Sequence, residues 1–441
     1  MTSPTLTLPE SPDYTLVNLR LHRAHVAGVP GLAFDVEGFA RAEIAIAGAR
    51  IAAIRPAGST PEAESVHAVD CRGGIAFPAF VDCHTHIDKG HIWPRKPNPG
   101  GSFPGALEAV GEDRRANWSS TDVERRMEFS LSCAYAHGTR ALRTHLDSLA
   151  PQEDISWPVF AEMRARWKGR IELQAACLFG IDEARDEAWF NRLADIVATN
   201  RGVLGAVTYM VPDLDALLDR MFVKAMELGL DLDFHADETD NVEAVSLDRI
   251  AEAALRHRFE GRILVGHCCS LARQPDDQIA STLDKIARAG LSVVSLPMCN
   301  MYLQDRHAGV TPRWRGVTLL HEMAAHGINV AVASDNTRDP FYAYGDLDML
   351  EVYREATRIL HFDHPVGLWP ATVAANPARA MGLADAGMLQ PGSSADLLVF
   401  RGRSLTELLA RPESRRTLIR DGKLIDATVP DYHDLDDLME R

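Results

Sequence analysis

The chain has 441 residues, 46% of them hydrophobic, which fits one large α/β barrel with a smaller accompanying domain. Its 62 acidic and 46 basic residues give a formal net charge of -16 at pH 7. Because an acidic chain is repelled by phosphate backbones and by anionic lipid surfaces, we expect neither nucleic acid nor a membrane as a partner. A neutral small molecule is compatible with this charge.

The N-terminal residues and the cysteines indicate where the protein works. Residues 1–13 are polar and proline-rich, and no apolar run of about 18 residues occurs in the sequence. The seven cysteines are scattered and lie mostly in apolar stretches, which is typical of reduced core cysteines in a cytosolic enzyme. We therefore expect a cytoplasmic protein without a membrane span.

The first part of the chain has the pattern of short β-strands. Residues 14–21 form a β-rich run. Residues 42–46 and 50–54 alternate around a turn at 47–49, which is the pattern of a β-hairpin.

The middle of the chain alternates between apolar runs and amphipathic runs. Strands are predicted at residues 76–82, 141–146, 171–178, 205–211, 230–235, 263–267, 292–296 and 329–333. Helices are predicted at residues 121–137, 157–167, 213–227, 247–257, 276–289 and 317–326. Continuously apolar strands that alternate with helices indicate a parallel sheet, and eight of them fit an α/β protein with a (β/α)8 TIM-like barrel.

The C-terminal part returns to β-structure. Residues 395–401 resemble a buried strand, and 417–420 and 423–425 form a second hairpin pattern. We infer that the two ends of the chain together form one small β-sandwich. The predicted domains are a discontinuous β-sandwich from residues 14–76 and 384–430, and a metal-dependent hydrolase barrel from residues 77–383.

Polar residues of the kind that bind metals end four of the predicted barrel strands. His84 and His86 are two residues apart, so in a strand they point the same way. His235, His267 and Asp335 each follow a further apolar run. The C-terminal ends of barrel strands meet at one face, and a chance arrangement of four such ends is improbable. The sequence therefore predicts a metal-centred site.

This order of residues resembles the ligand pattern of the amidohydrolase superfamily. Within the superfamily the chain is most similar to cytosine deaminase, and the similarity extends over the barrel and both flanks. The matching stretches are residues 84–88, 143–147, 235–238 and 300–304, and Asp335 with 339–340. The resemblance implies that the metal is bound by His84, His86, His235 and Asp335.

The resemblance also implies catalytic roles. A divalent ion with an open coordination position lowers the pKa of bound water. Glu238 would move a proton from water to the ring nitrogen next to the amino-bearing carbon. Asp335 would accept the remaining proton and pass it to the leaving amine, and His267 would polarise the attacking oxygen.

One absence favours a single ion. Members of the superfamily with two ions bridge them with a lysine at the end of the fourth strand, and residues 205–211 contain no lysine. We therefore predict one divalent ion, Zn²⁺ or Fe²⁺, since histidine and aspartate bind both.

The residues that would recognise the substrate depart from the cytosine deaminase pattern. Phe179 stands where that family has a glutamine that hydrogen-bonds the pyrimidine, and Asn336 replaces the second of two aspartates. Ser334 and Phe341 replace a histidine and a tryptophan. The other predicted substrate-binding residues are Asp88, Asn300 and Gln304. A site that hydrogen-bonds one ring edge rejects rings with another pattern, so the reaction is better defined than the substrate.

The predicted function is hydrolytic deamination of a small nitrogen heterocycle, namely cytosine or a related aminopyrimidine, to the oxo product and ammonia. The alternatives are amine release from an aminotriazine or an N-alkylamino ring, and opening of a ring amide. A non-catalytic relative is disfavoured because Glu238 and all the implied ligands are present. The resemblance also implies a homo-oligomer.

Overall fold

The computed structural model describes residues 6–61, 67–412, 415–426 and 428–439. No helix among these residues combines the length and the apolar character needed to cross a bilayer. In chain order the strands are β1 (Asp13–His22), β2 (Phe39–Ala47), β3 (Arg50–Pro56), β4 (Ala68–Asp70), β5 (Ile75–Pro78), β6 (Phe80–Thr85), β7 (Thr139–Asp147), β8 (Glu172–Leu178), β9 (Leu204–Thr208), β10 (Leu232–Ala236), β11 (Ile263–His267), β12 (Ser292–Ser295), β13 (Asn329–Val332), β14 (Leu397–Phe400), β15 (Arg416–Arg420) and β16 (Lys423–Leu424).

The helices lie mostly between the central strands. In chain order the α-helices are α1 (Phe103–Asn117), α2 (Ser120–Ala136), α3 (Glu153–Arg166), α4 (Glu187–Thr199), α5 (Leu214–Leu228), α6 (Ser246–His257), α7 (Asp276–Ala289), α8 (Pro297–Leu303), α9 (Leu320–Ala325), α10 (Met349–Leu360), α11 (Ala375–Ala380), α12 (Leu405–Leu409) and α13 (Asp436–Met439). Helix α7 has sequence signals at both of its ends: Asp276 and Asp277 lie in its first turn, and Gly290 ends it with a φ of 68°.

The eight strands β6 to β13 form the barrel. Strands β6–β7–β8 pair in parallel, as do β9 to β13 in chain order. Isolated parallel bridges join the two groups at both seams, between Ala176 and Val203 and between Thr85 and Asp335. The predicted (β/α)8 fold is confirmed, and the C-terminal ends of its strands meet at one face.

Both ends of the chain contribute to a second, mixed sheet. Its order is β16–β15–β14–β5–β1–β2–β3, with β4 paired to β1. One apolar core, which includes Leu16, Ile44 and Leu397, lies against this sheet. The two layers predicted as a sandwich are thus joined into one hydrogen-bonded sheet, because β1 pairs with β2, β4 and β5.

The run predicted as a single strand at residues 76–82 is divided between the two sheets. Strand β5 ends at Pro78 and β6 begins at Phe80. The backbone N–H of Ala79 donates to Asp396 O (3.0 Å), whereas that of Phe80 donates to Gly138 O (3.1 Å). Backbone hydrogen bonding therefore transfers the chain from one sheet to the other at Ala79.

The segment after β6 contains a helix that the sequence pattern does not predict. This is helix α1, which begins after the capping residue Ser102. Phe103 of this helix packs edge-on against Phe341, with ring centroids 5.5 Å apart. Asn98 donates to Pro340 O (3.0 Å). The segment is thus packed against the loop that follows β13, on the same face as the strand ends.

A buried ion pair between Asp348 and Arg416 joins helix α10 to the small sheet, with 2.6 Å between Oδ2 and Nη2. Burial would raise the pKa of Asp348, but Arg416 and His137 outweigh it and lower this pKa from 3.8 to about 2. The ion pair therefore stabilises the folded protein fully above pH 4, and this stabilisation is lost as the pH falls towards 2.

We expect Asp348→Asn to lower the free energy of unfolding at pH 7 by about 2 kcal/mol, and the melting temperature with it. Asparagine keeps the oxygen that accepts from Leu350 N, so the change removes the charge and leaves the helix cap. Thermal melts at pH 7 and pH 3 should show the difference between variant and wild type becoming smaller in acid. Asp363→Asn, at an exposed residue, is the control. A difference independent of pH would contradict the assignment.

Candidate metal centre and active site

The barrel brings together four of the residues singled out in the sequence. His84 lies in β6 with His86 just beyond it, His235 lies in β10, and Asp335 follows β13. His86 Nε2 is 3.2 Å from His235 Nε2. Asp335 Oδ1 is 3.3 Å from His86 Nε2 and 3.6 Å from His84 Nε2. The four residues thus lie close together, within two overlapping groups of possible metal ligands: His84, His86, His145 and His235, and His84, His267 and Asp335.

Several nitrogen and oxygen atoms of this cluster are buried and have no hydrogen-bond partner within the described residues. The atoms without a hydrogen bond include both ring nitrogens of His84, Nδ1 of His86, Nδ1 of His235 and both oxygens of Asp335. Buried polar atoms are seldom left without partners unless an ion or water takes them up. The arrangement fits a divalent ion with nitrogen and oxygen ligands.

The electrostatics of the cluster favour the neutral, metal-binding form of its three histidines. Burial, followed by the neighbouring positive groups, holds the pKa of His84, His86 and His235 well below the ordinary value, so these imidazoles are neutral. Burial raises the pKa of Asp335 to about 7. A cation bound at this point would favour the charged carboxylate.

Local backbone geometry at the strand ends supports the same arrangement. His267 and Asp335 adopt left-handed conformations, with φ of 69° and 62°, which side chains other than glycine seldom adopt and which concentrate at functional sites. A Cβ atom at Gly266 would lie 2.8 Å from His84 Cε1. The glycine that precedes His267 is therefore needed so that β11 can approach the imidazole of His84.

Beside the cluster, Glu238 is held by a small network. Asn300 donates from Nδ2 to Glu238 Oε1 (2.9 Å), and Gln304 donates to the backbone oxygen of Glu238 (3.2 Å). His267 Nδ1 lies 3.3 Å from Glu238 Oε1. Burial would lower the pKa of His267, but Glu238 and Asp335 outweigh burial and raise it. The structure thus places a carboxylate and an imidazole side by side next to the cluster.

His145 is a member of the cluster that the sequence analysis did not select. Its ring centroid is 4.1 Å from that of His84 and 4.7 Å from that of His235. Its Nε2 is 3.0 Å from Asp233 Oδ1, and its Nδ1 is 3.3 Å from Thr85 O. Both ring nitrogens thus have oxygen partners, as expected for a residue that supports a metal ligand, but a nitrogen of His145 also lies within 4.8 Å of nitrogens of His84, His86 and His235.

The structure does not bring all predicted substrate-binding residues to the cluster. Asn336 lies next to Asp335 but donates to Asp339 Oδ2 (2.7 Å). Asp88 is buried and accepts from the backbone N–H of Asp147 (2.8 Å). Phe179 packs against Trp189 of α4, with ring centroids 5.1 Å apart, so its described ring contacts belong to the packing around the barrel.

Comparisons with known proteins decide the family. A family profile described as "Amidohydrolase family" matches residues 174–429. A pterin deaminase from Rhizobium rhizogenes (strain K84) is 54% identical over 428 residues, which are 97% of each chain. The chain belongs to the amidohydrolase family. The superfamily resemblance noted in the sequence is therefore confirmed, and the protein is a hydrolytic enzyme.

More distant relatives resemble the chain in fold or in sequence. A 5-methylcytosine deaminase from Klebsiella pneumoniae, solved with 5-fluorocytosine, superposes with a TM-score of 0.80 at 23% identity, over 93% of this chain and 97% of that one. An N-isopropylammelide isopropyl amidohydrolase from Pseudomonas sp. (strain ADP) is 24% identical over 367 residues. The matched region covers 81% of the present chain and 87% of that relative.

Proposed function

We propose that this amidohydrolase deaminates a pterin. The observation that carries the proposal is the 54% identity, over nearly the whole of both chains, to a protein named pterin deaminase. The cluster of His84, His86, His235 and Asp335 beside Glu238 supports it, because hydrolytic deamination needs an activated water and a proton carrier. The similarity to the pterin deaminase and to the 5-methylcytosine deaminase supports the broader prediction of a deaminase of a small heterocycle.

A pterin narrows the substrate prediction. Its pyrimidine ring carries an amino group on the carbon between the two ring nitrogens and an oxygen on the next carbon of the ring, and it is fused to a pyrazine ring. Cytosine carries its amino group and oxygen in the opposite arrangement. The altered recognition residues Phe179 and Asn336 are compatible with a ring edge other than that of cytosine.

The proposed metal is one divalent ion, Zn²⁺ or Fe²⁺, held by His84, His86, His235 and Asp335. When bound, it supplies a Lewis acid that makes water acidic near neutral pH. The uncharged imidazoles and the single carboxylate are the ligand types that both ions accept.

The proposed proton transfers use three side chains. Glu238 accepts a proton from water and delivers it to the ring nitrogen next to the amino-bearing carbon, which makes that carbon electrophilic. Asp335 takes the second proton and passes it to the amine as the carbon–nitrogen bond breaks. His267 donates a hydrogen bond to the oxygen that becomes the new carbonyl group. The products are ammonia and the dioxo ring, so water supplies the oxygen and the protons.

A substrate comparison tests this proposal. Purified protein loaded separately with Zn²⁺ and Fe²⁺ is incubated with pterin, cytosine and N-isopropylammelide. Ammonia is measured enzymatically, and products are identified by mass spectrometry. We expect ammonia and the dioxopteridine from pterin, at a kcat/KM far above that for cytosine. Release of isopropylamine from the triazine, without turnover of pterin, would support the alternative suggested by the second relative. A ring-opened product would support amide hydrolysis instead.

The predictions about assembly and location remain proposals. We propose a homo-oligomer that acts in the cytoplasm on a small molecule. Light scattering of the purified full chain measures the oligomeric state, and a monomer at all concentrations would contradict the first part.

A further inference from the structure

A buried lysine lies next to the proposed metal ligands. Lys89 follows His86 by three residues and is 4% exposed. Its Nζ is 2.6 Å from Asp147 Oδ1 and 5.7 Å from the centroid of the Phe341 ring. It therefore lies close to the last residue of β7 and to the loop after β13.

The ammonium group faces the mouth of the barrel. Lys89 follows β6, Asp147 is the last residue of β7, and Phe341 lies in the loop after β13, and these three strands are neighbours in the barrel. The ammonium group therefore lies at the C-terminal ends of these strands, the face of a barrel at which substrates bind.

Lys89 keeps hydrogen-bonding capacity for a ligand. An ammonium group has three N–H donors. Asp147 takes one of them, and within the described residues no other acceptor lies within hydrogen-bond distance of Nζ. Burial would lower the pKa of Lys89, but Asp147 and Asp88 outweigh burial and raise it, so the group is a cation.

The partner of Lys89 does not depend on it alone. Arg114 Nη1 lies 2.9 Å from the second oxygen of Asp147. Two cations thus share one carboxylate. Because Arg114 also pairs with Asp147, a substrate can take hydrogen bonds from Lys89 without leaving Asp147 unpaired.

We propose that Lys89 binds the substrate by donating hydrogen bonds to the acceptor edge of its ring. This inference rests on the proposed function and specifies how the ring is oriented. In a pterin, the carbonyl oxygen and the nearest pyrazine nitrogen lie side by side and point the same way. These two acceptors match the two remaining donors of Lys89, and binding there leaves the amino-bearing carbon at the other end of the pyrimidine ring.

The first test changes the ligand and leaves Lys89 intact. Binding is measured by fluorescence titration of metal-loaded Glu238→Gln protein, which retains the pocket but turns over slowly. The ligands are pterin and 2-aminopteridine, which has the same double ring without the carbonyl oxygen. We expect the Kd of 2-aminopteridine to be about tenfold to a hundredfold higher, the usual cost of a lost hydrogen bond to a charged group. Equal Kd values would overturn the proposal.

The second test changes the lysine. Lys89→Met is introduced into the Glu238→Gln background and into the wild type. We expect the Kd and KM for pterin to rise about tenfold to a hundredfold, and the Kd of 2-aminopteridine, which keeps only the pyrazine nitrogen as an acceptor for Lys89, to rise by a smaller factor. Lys89→Arg, which retains a cation, should restore part of the affinity. Lys96→Met, at a lysine in the same segment that pairs with Glu112, is the matched control.

The outcomes separate this inference from the proposed function. If wild-type protein does not deaminate pterin, the proposed function fails. If it does, and Lys89→Met weakens both ligands equally or neither of them, the role of Lys89 fails and the function stands. Metal content and melting temperature are measured for each variant. If Lys89→Met does not fold, the ligand comparison on the unaltered lysine decides.

Discussion

Replacing Glu238 with glutamine is expected to lower kcat by about two to four orders of magnitude. The amide has nearly the same shape as the carboxylate but cannot accept a proton from water. Asn300 can still reach the side-chain oxygen at 2.9 Å, and the bond from Gln304 goes to the backbone, so the local structure should persist. Steady-state kinetics with the best substrate, together with metal analysis, measure the effect.

The control for this substitution is Glu243→Gln, at an exposed glutamate in the same loop. It should leave kcat and metal content unchanged. If Glu238→Gln retains full metal and wild-type kcat, Glu238 is not the proton carrier, and His267 becomes the next residue to test.

Replacing His235 with alanine is expected to lower metal affinity by more than about a hundredfold, and to abolish turnover at limiting metal. Loss of groups that only support a metal ligand already costs roughly 10- to 100-fold, so loss of a ligand should cost more. The three remaining donors cannot replace it, because His86 Nε2 and Asp335 Oδ1 already face the same point. Competition with a chromogenic chelator measures the affinity.

His307→Ala, at an exposed histidine, is the matched control and should bind metal as the wild type does. Circular dichroism shows whether each variant is folded. Wild-type affinity in a folded His235→Ala protein would remove His235 from the ligand set, and His145, whose ring lies 4.7 Å away, would be the first replacement to examine.

The central fold was readable from the sequence because apolar strands and amphipathic helices have different periods. The bounds of β11 and α7 were predicted to the residue, since Gly266–His267 and Gly290 mark where each element ends. The change of sheet at Ala79 was not readable, because residues 76–82 are continuously apolar and only the partners of their backbone N–H groups separate them. Helix α1 was missed because its face towards the core is weakly apolar.

The sequence predicted the site residues whose position at a strand end already implied that their side chains point into the barrel mouth. His84, His235 and Asp335 met that condition. His145 lies near the end of β7, but no sequence feature distinguished it from its polar neighbours. Its partner Asp233 lies on another strand, so the contact between them could not be predicted. Phe179 was chosen from alignment to a family position, but its ring contacts depend on helix α4, whose packing the sequence does not give.

The place of β5 between β1 and β14 has a consequence for how the protein is made. Ala76 of β5 pairs with Val399 of β14, roughly 320 residues later in the chain. During synthesis the N-terminal strands leave the ribosome long before that neighbour exists, and one side of β5 stays open while the barrel emerges. Completion of the small sheet is therefore a late step that fastens the two chain ends together, and a nascent chain stopped before β14 would expose an unpaired edge to its neighbours.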